Sequence, residues 1–158
     1  MFFKKKLNLE VCAPIKGSFL PQKDIQDETF SSGLMGPALG IYPDTNEVVS
    51  PIDGEITMVF PTGHALGIKR SDGLEILIHI GVDTVNLKGQ GFKVLVKEHN
   101  KVKKGSRLVE FDKNLLLSKA LDPTVIIVFT NFQEFDIRIN SNQKSFEAKD
   151  VIGNAKRK

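Results

Sequence analysis

Prolines crowd the first part of this 158-residue chain. Six of the seven lie within residues 1–61: Pro14, Pro21, Pro37, Pro43, Pro51 and Pro61. Proline cannot donate a backbone hydrogen bond, and its ring clashes with the preceding helical turn. Because no long helix fits between stops spaced this closely, we expect this part of the chain to consist of strands and turns.

The apolar segments of the chain are short and rich in valine, isoleucine and phenylalanine. Several alternate apolar with polar residues, as half-buried strands do. The clearest segments are residues 54–60, 74–80, 92–96, 125–129 and 135–139. One helix is predicted over residues 113–121, with Asp112 as its N-cap and Pro123 beyond its end. Together these patterns predict an all-β sandwich or barrel with a short helix.

Length and composition exclude several classes of protein. A chain of 158 residues predicts one domain. The single cysteine, Cys12, excludes a disulfide framework and a zinc site made of cysteines alone. The net charge of +3, from 22 basic and 19 acidic residues, is too small to favour nucleic acid as a partner. No apolar run reaches the ~20 residues of a membrane span, and no apolar stretch follows the basic N-terminus, so we expect a cytoplasmic protein.

A short sequence frame occurs twice in the first third of the chain. Residues 13–18 read Ala-Pro-Ile-Lys-Gly-Ser and residues 50–55 read Ser-Pro-Ile-Asp-Gly-Glu. A proline followed three positions later by a glycine suits a turn that leads into a strand. The two copies predict a duplicated hairpin unit, with chance similarity of two turns as the alternative.

Two of the three histidines fall in neighbouring predicted strands. Alternation along residues 74–80 puts four aliphatic side chains on one face and His79 on the opposite, more polar face. His64 begins the preceding strand. A two-residue hairpin loop within residues 71–73 places His64 directly opposite or diagonal to His79, on the same face, whereas a three-residue loop would send the imidazoles to opposite faces. His99 lies in a polar turn and is expected to be solvated.

Two adjacent imidazoles on an exposed sheet face have three interpretations. They could bind a metal, although zinc prefers four ligands. They could be a nucleophile and its helper. They could also be incidental surface residues. Spacing alone leaves these alternatives open.

Four segments carry a resemblance to a known family. They are Ala13-Pro14-x-x-Gly17, Ser50-Pro51-Ile52-Asp53-Gly54, Thr62-Gly63-His64-Ala65, and residues 77–92, which read Leu-Ile-His-Ile-Gly-Val-Asp-Thr-Val-Asn-Leu-Lys-Gly-Gln-Gly-Phe. With them the chain resembles, over residues 9–152, the glucose-type IIA component of the bacterial phosphoenolpyruvate-dependent sugar phosphotransferase system.

The resemblance implies a fold and a domain organisation. The fold would be an all-β, antiparallel β-sandwich or barrel with Greek-key and duplicated hairpin elements and one or two short helices. Residues 9–153 would form a single IIA phosphocarrier domain. A flexible N-terminal tail of residues 1–8 and a basic C-terminal tail of residues 154–158 would flank it.

The resemblance also implies roles for the histidines. His79 would accept a phosphoryl group on Nε2, and His64 would stabilise that group. Thr62 is the hydroxyl of the same network, and the backbone carbonyl of Gly81 would fix the His79 tautomer through Nδ1–H. A neutral imidazole is a good nucleophile near pH 7, and a second one can donate to phosphoryl oxygens. No cofactor is required, although zinc could bridge the two histidines and a partner carboxylate.

The implied partners are other proteins of the phosphotransferase system. HPr would supply the phosphoryl group and the IIB domain of a IIB/IIC sugar permease would receive it, which gives peripheral contact with the membrane. Some relatives also bind regulatory targets. The expected docking residues are acidic or apolar: Asp27, Asp83, Phe30, Leu34, Met35, Phe60 and Val85. Without the resemblance, Phe60 and Val85 would be ordinary core residues.

Two other classes of function are weighed against the phosphocarrier. A metal-dependent hydrolase would need a third ligand, and no His-x-His pair occurs in the chain. A swinging-arm carrier, suggested by residues 94–108, would need a lysine flanked by methionine. None of the three methionines flanks a lysine in that way.

Overall fold

The computed structural model describes residues 6–158, which fold into antiparallel strands and two short helices. The helices are α1 (Glu28–Ser31) and α2 (Lys113–Ser118). The strands are β1 (Glu10–Cys12), β2 (Gly17–Pro21), β3 (Ala38–Pro43), β4 (Glu47–Val49), β5 (Gly54–Val59), β6 (Ala65–Lys69), β7 (Glu75–Ile80), β8 (Phe92–Val94), β9 (Lys101–Val102), β10 (Arg107–Phe111), β11 (Val125–Phe129), β12 (Phe135–Ile139), β13 (Ser145–Phe146) and β14 (Val151–Arg157). The predicted all-β class is confirmed. No helix in residues 6–158 is long and apolar enough to cross a membrane.

Three sheets build the sandwich. The largest has eight strands in the order β13-β2-β3-β11-β7-β6-β5-β9, and the other two have the orders β1-β14-β12 and β4-β10-β8. The aliphatic face of β7 is buried in the main core, as its alternation predicts: Leu74, Ile76, Ile78 and Ile80 are each at most 1% exposed. The opposite face of β7 therefore carries His79 out of the main core.

The two Pro-Ile-x-Gly frames are a structural duplication. Each frame forms a bend that leads directly into a strand, β2 in one case and β5 in the other. The frames also hydrogen-bond to each other in equivalent ways, from Cys12 N to Pro51 O (2.9 Å) and from Val49 N to Pro14 O (2.8 Å). The duplicated hairpin that the sequence predicts is confirmed, and the chance alternative is excluded.

The duplication extends through the whole sandwich. Counted inward from the two ends of the eight-stranded sheet, β3 and β6 occupy equivalent positions, and so do β11 and β7. A second repeat leads into β3 and β6: residues 36–41 read Gly-Pro-Ala-Leu-Gly-Ile and residues 63–68 read Gly-His-Ala-Leu-Gly-Ile. The molecule is therefore two similar halves that share one sheet.

Two backbone hydrogen bonds fix which residues correspond between the halves. Ile80 N donates to His64 O (2.7 Å), and Phe129 N donates to Pro37 O (3.0 Å). Strand pairing agrees, because Ala65 lies opposite His79 and Ala38 lies opposite Val128. Pro37 is thus the counterpart of His64, and Val128 is the counterpart of His79.

Both predicted registers of the histidine hairpin are wrong. Residues 71–73 form a three-residue loop, and His79 pairs with Ala65. The imidazoles nevertheless meet, because His64 lies in a bend before β6 and strand alternation does not govern its direction.

Two predicted boundaries also change. Helix α2 ends at Ser118 and not at residue 121, because Ala120 takes a left-handed φ of 57° and Leu121 N bonds back to Leu116 O (2.9 Å). That pattern is a helix-terminating Schellman turn. The C-terminal tail predicted for residues 154–158 is wrong, since β14 pairs with β12 as far as Arg157. Residues 1–5 of the predicted N-terminal tail lie outside the described residues.

Candidate functional site

His79 lies near the end of β7, on the face turned away from the main core. Its Nδ1 is 2.8 Å from the carbonyl oxygen of Gly81. A carbonyl oxygen can only accept, so Nδ1 carries the proton and Nε2 carries the lone pair. Gly81 stands in a turn with φ of 79°, a conformation that favours glycine. The local fold thus sets the tautomer of His79.

His64 packs directly against His79. The ring centroids are 4.9 Å apart and the ring planes are nearly perpendicular, at 82°. His64 is only 3% exposed, and its Nδ1 forms a short hydrogen bond with the hydroxyl of Thr62. The structure therefore brings together all four residues that were expected in the histidine network.

Neither Nε2 atom is fully buried. Each Nδ1 is already hydrogen-bonded, and neither Nε2 has a hydrogen-bond partner within residues 6–158. In the same residues, no buried side-chain nitrogen or oxygen lacks a partner. Each Nε2 atom therefore keeps some contact with solvent.

Both imidazoles are neutral at pH 7. Burial, with a contribution from His79, lowers the pKa of His64 to about 4. Burial also lowers the pKa of His79, although the Gly81 hydrogen bond and the nearby Asp27 and Asp83 carboxylates oppose the shift. A neutral imidazole with a fixed lone pair is a nucleophile, so the pair is suited to accepting an electrophilic group such as a phosphoryl group.

Aromatic rings flank the histidines. Phe30 lies 4.9 Å from His79 and Phe60 lies 5.4 Å from His64, measured between ring centroids. Phe30, which was expected on the docking face, is only 4% exposed. Its ring therefore supports His79 and offers almost no surface to a partner in the free chain.

The remaining residues of the expected docking face are more accessible. Leu34 is 88% exposed and Val85 is 50% exposed, which is unusual for large apolar side chains. Met35 is also exposed. Asp83 is exposed as well, and half-buried Asp27 caps α1 by accepting from Thr29 N (3.0 Å). His99, as expected, is solvated, with 81% of its side chain exposed.

Sequence reasoning missed one buried residue whose side chain bonds to the backbone beside the histidines. Thr84 is fully buried, and its hydroxyl donates to Ile80 O in the turn that carries Gly81. This contact depends on the path of the turn in three dimensions, and no local sequence pattern indicates it. No group of three or more His, Cys, Asp and Glu residues that could bind a metal occurs within residues 6–158. The two histidines would supply two of the four ligands that zinc prefers.

Comparison with known proteins identifies the family. The pattern of the family described as the phosphoenolpyruvate-dependent sugar phosphotransferase system, EIIA 1, matches residues 9–135. The chain belongs to this family. It is therefore a component of a phosphotransferase, as the resemblance implied.

Individual relatives agree with this assignment. The glucose-specific EIIA component of Halalkalibacterium halodurans is 44% identical over 127 residues, which cover 80% of this chain and 73% of that protein. The glucoside-specific EIICBA component of Staphylococcus carnosus is 40% identical, over 82% of this chain but only 19% of that longer protein. The solved structure of glucose permease IIA from Mycoplasma capricolum matches with a TM-score of 0.82 and 33% identity, over 97% of this chain and 98% of that one.

Proposed function

We propose that this protein is a cytoplasmic phosphocarrier that takes a phosphoryl group from phospho-HPr onto Nε2 of His79. It then passes the group to the IIB domain of a glucose-type sugar permease. One observation carries the proposal: the Gly81 carbonyl holds the proton on Nδ1 of His79, which leaves the Nε2 lone pair free at the surface. Glucose as the sugar rests on the names of the relatives.

The transfer step is a displacement at phosphorus. The Nε2 lone pair of His79 forms the new N–P bond while the N–P bond to the imidazole of phospho-HPr breaks. The donor imidazole leaves as a neutral ring, so no oxidant or reductant takes part. Because a phosphohistidine is both donor and product, the step is nearly balanced in energy, and positioning and electrostatics do most of the work.

His64 is proposed to stabilise the phosphoryl group. Its Nδ1 bonds to the Thr62 hydroxyl. When that hydroxyl donates, Nδ1 accepts and Nε2 of His64 carries the proton. The Nε2–H can then donate to a phosphoryl oxygen on the adjacent His79. A low pKa keeps His64 neutral, so the donor does not repel an incoming cationic partner.

The surface around the histidines is proposed to dock both partners. Leu34, Met35 and Val85 provide exposed apolar area, and Asp27 and Asp83 lie close enough to His79 to affect its pKa. Negative charge beside the phosphoacceptor favours a partner with a basic docking face. Docking on the IIB domain would also give peripheral contact with the membrane. At such an interface, His64 and His79 would supply two ligands to a zinc ion and a partner carboxylate another.

Phosphorylation in a reconstituted system tests the proposal. The protein is incubated with labelled phosphoenolpyruvate, enzyme I and HPr, and bound phosphate is assayed after acid and alkali treatment. We expect acid-labile, alkali-stable label that disappears in His79→Ala. His99→Ala is the matched control, because it removes a solvated histidine far from the network. Label that survives in His79→Ala would contradict the assignment.

A further inference from the structure

We infer that Thr84 is a positioning residue for His79. The inference rests on the phosphoacceptor role proposed above. Thr84 is 0% exposed and lies in the turn that follows β7. Its hydroxyl donates to the carbonyl of Ile80 at 2.5 Å, which ties the turn back to the residue beside His79. The carbonyl of Gly81 that holds Nδ1 lies inside this closed turn.

The methyl group of Thr84 acts on Gly81 directly. A Cβ placed on Gly81 would lie only 2.4 Å from Cγ2 of Thr84 and 3.0 Å from the carbonyl oxygen of Asp122. The space beside the Gly81 Cα is therefore filled by the threonine. Because the methyl packs there, the peptide that carries the Gly81 carbonyl has little room to rotate.

Backbone contacts with the segment before β11 restrain the same turn from its other side. Gly81 N donates to Thr124 O (2.8 Å), and Val82 N donates to Asp122 O (2.9 Å). These bonds hold the N–H groups of the turn. The hydrogen bond from the Thr84 hydroxyl to Ile80 O joins the turn to β7 itself. The threonine thus completes the support of the Gly81 carbonyl.

The consequence for His79 is a fixed tautomer and a fixed ring. A firmly placed Gly81 carbonyl keeps the proton on Nδ1 and aims Nε2 at the incoming phosphorus. If the turn relaxes, the hydrogen bond weakens and the Nε2–H tautomer becomes populated. In that tautomer the lone pair is on Nδ1, so Nε2 has none for attack. Errors of about 1 Å in such placement can cost about 10²-fold in rate.

The test compares Thr84→Val, which keeps the shape but lacks the hydroxyl, with Thr84→Ser, which keeps the hydroxyl. Long-range ¹H–¹⁵N NMR reads the tautomer and pKa of His79 without any phosphate present. In Thr84→Val we expect a mixed tautomer, a further lowered pKa of His79, and phosphorylation by phospho-HPr slowed about 10- to 100-fold. Thr84→Ser, which keeps the hydroxyl bond but loses the methyl, is expected to shift the tautomer and the rate less than Thr84→Val does. Should Thr84→Val not fold, Thr84→Ala is the hydroxyl-free variant.

Ser50→Ala is the matched control. Ser50 is also buried, at 1% exposed, and its hydroxyl also donates to a backbone carbonyl, that of Ile52 (2.7 Å), in the bend before β5. Its loss should lower stability without changing the His79 tautomer. A folded hydroxyl-free Thr84 variant with a single Nδ1–H tautomer and an unchanged rate would overturn the inference. Failure of the proposed function would show separately, as label persisting in His79→Ala while the tautomer effect remains.

Discussion

The two halves of the sandwich have the same backbone arrangement but carry different side chains at matched positions. Each half contains the sequence Gly-x-Ala-Leu-Gly-Ile and the same backbone hydrogen bond to the residue in the x position. In one half the two equivalent positions are His64 and His79. In the other they are Pro37 and Val128. The halves therefore differ at both matched positions, with histidines in one half and proline and valine in the other.

The halves also differ in what covers them. The connection from β2 to β3 spans residues 22–37 and contains α1, whereas the connection from β5 to β6 spans only residues 60–64. Ile25 and Phe30 from the long connection are buried in the same cluster as Val128. Val128 is 0% exposed, while His79 remains half-buried. The shared sheet places Val128 and His79 at equivalent positions. The long connection of residues 22–37 covers Val128, whereas His79 stays partly exposed.

Removing the second histidine should have the largest effect. In His64→Ala we expect onward transfer to the IIB domain to slow by about 10²- to 10³-fold, which is the usual loss for one preorganised hydrogen-bond donor. His64→Gln keeps an N–H group and should recover part of the rate. Rapid-quench transfer from labelled protein gives both values. A Tm lowered by several degrees with transfer intact would make His64 a packing residue only.

Acid should destabilise the protein through His64, whose counterpart in the other half, Pro37, does not titrate. The pKa of His64 falls from 6.5 in the unfolded chain to about 4 in the folded one, so the unfolded chain binds more protons between these values. The contribution of His64 to the free energy of unfolding is therefore complete above pH 6.5. It is lost as the pH falls towards 4, by up to about 3 kcal/mol. Urea unfolding at pH 7 and pH 4.5 measures the loss. His64→Gln should lose less, and an equal loss in both proteins would contradict the assignment.

Placing a histidine in the covered half tests the role of access. Val128→His buries an imidazole without a partner, and we expect it to cost about 2 kcal/mol in the free energy of unfolding. Val128→Ile is the apolar control. In the background of His79→Ala, the new histidine should carry no label by peptide mass spectrometry. Label on residue 128 would show that the long connection does not decide reactivity.

The glycines that open the two repeats test the smallest expected difference between the halves. Gly36 and Gly63 both have positive φ, of 124° and 74°. A Cβ on Gly36 would lie 2.2 Å from the rigid Phe129 carbonyl oxygen, but on Gly63 it would lie 3.0 Å from a Val94 side-chain methyl. We expect Gly63→Ala to cost about 1–2 kcal/mol, as a left-handed alanine does, and Gly36→Ala at least about 1 kcal/mol more. Equal costs by urea unfolding would contradict the difference in packing.

The sequence predicts those parts of the fold that carry a strong local signal. β11 and β12 are predicted to the residue, because one is a continuous apolar run and the other alternates cleanly. The Asp112 cap is correct as well, since its side chain accepts from Leu115 N. β14 was missed because its buried positions include small residues such as Gly153 and Ala155, and hydrophobic patterning barely registers them.

The structure brings His64, His79, Thr62 and Gly81 together, but the register expected for the histidine hairpin is wrong. Hairpin loops of two and three residues share the same turn signals, so the register of β6 and β7 could not be fixed from residues 71–73. The contact of Phe30 with His79 joins segments far apart in the chain, and no local pattern indicates it. The burial of Thr84 likewise follows from tertiary packing and not from its neighbours in sequence.

The most direct test of the central claim is the identity of the phosphorylated nitrogen. Correlated ³¹P–¹⁵N NMR of the protein phosphorylated by phospho-HPr assigns the bonded atom. Because the Gly81 carbonyl occupies Nδ1 of His79, we expect the phosphorus to couple to Nε2 of His79. Coupling to Nδ1 of His79, or to either nitrogen of His64, would contradict it.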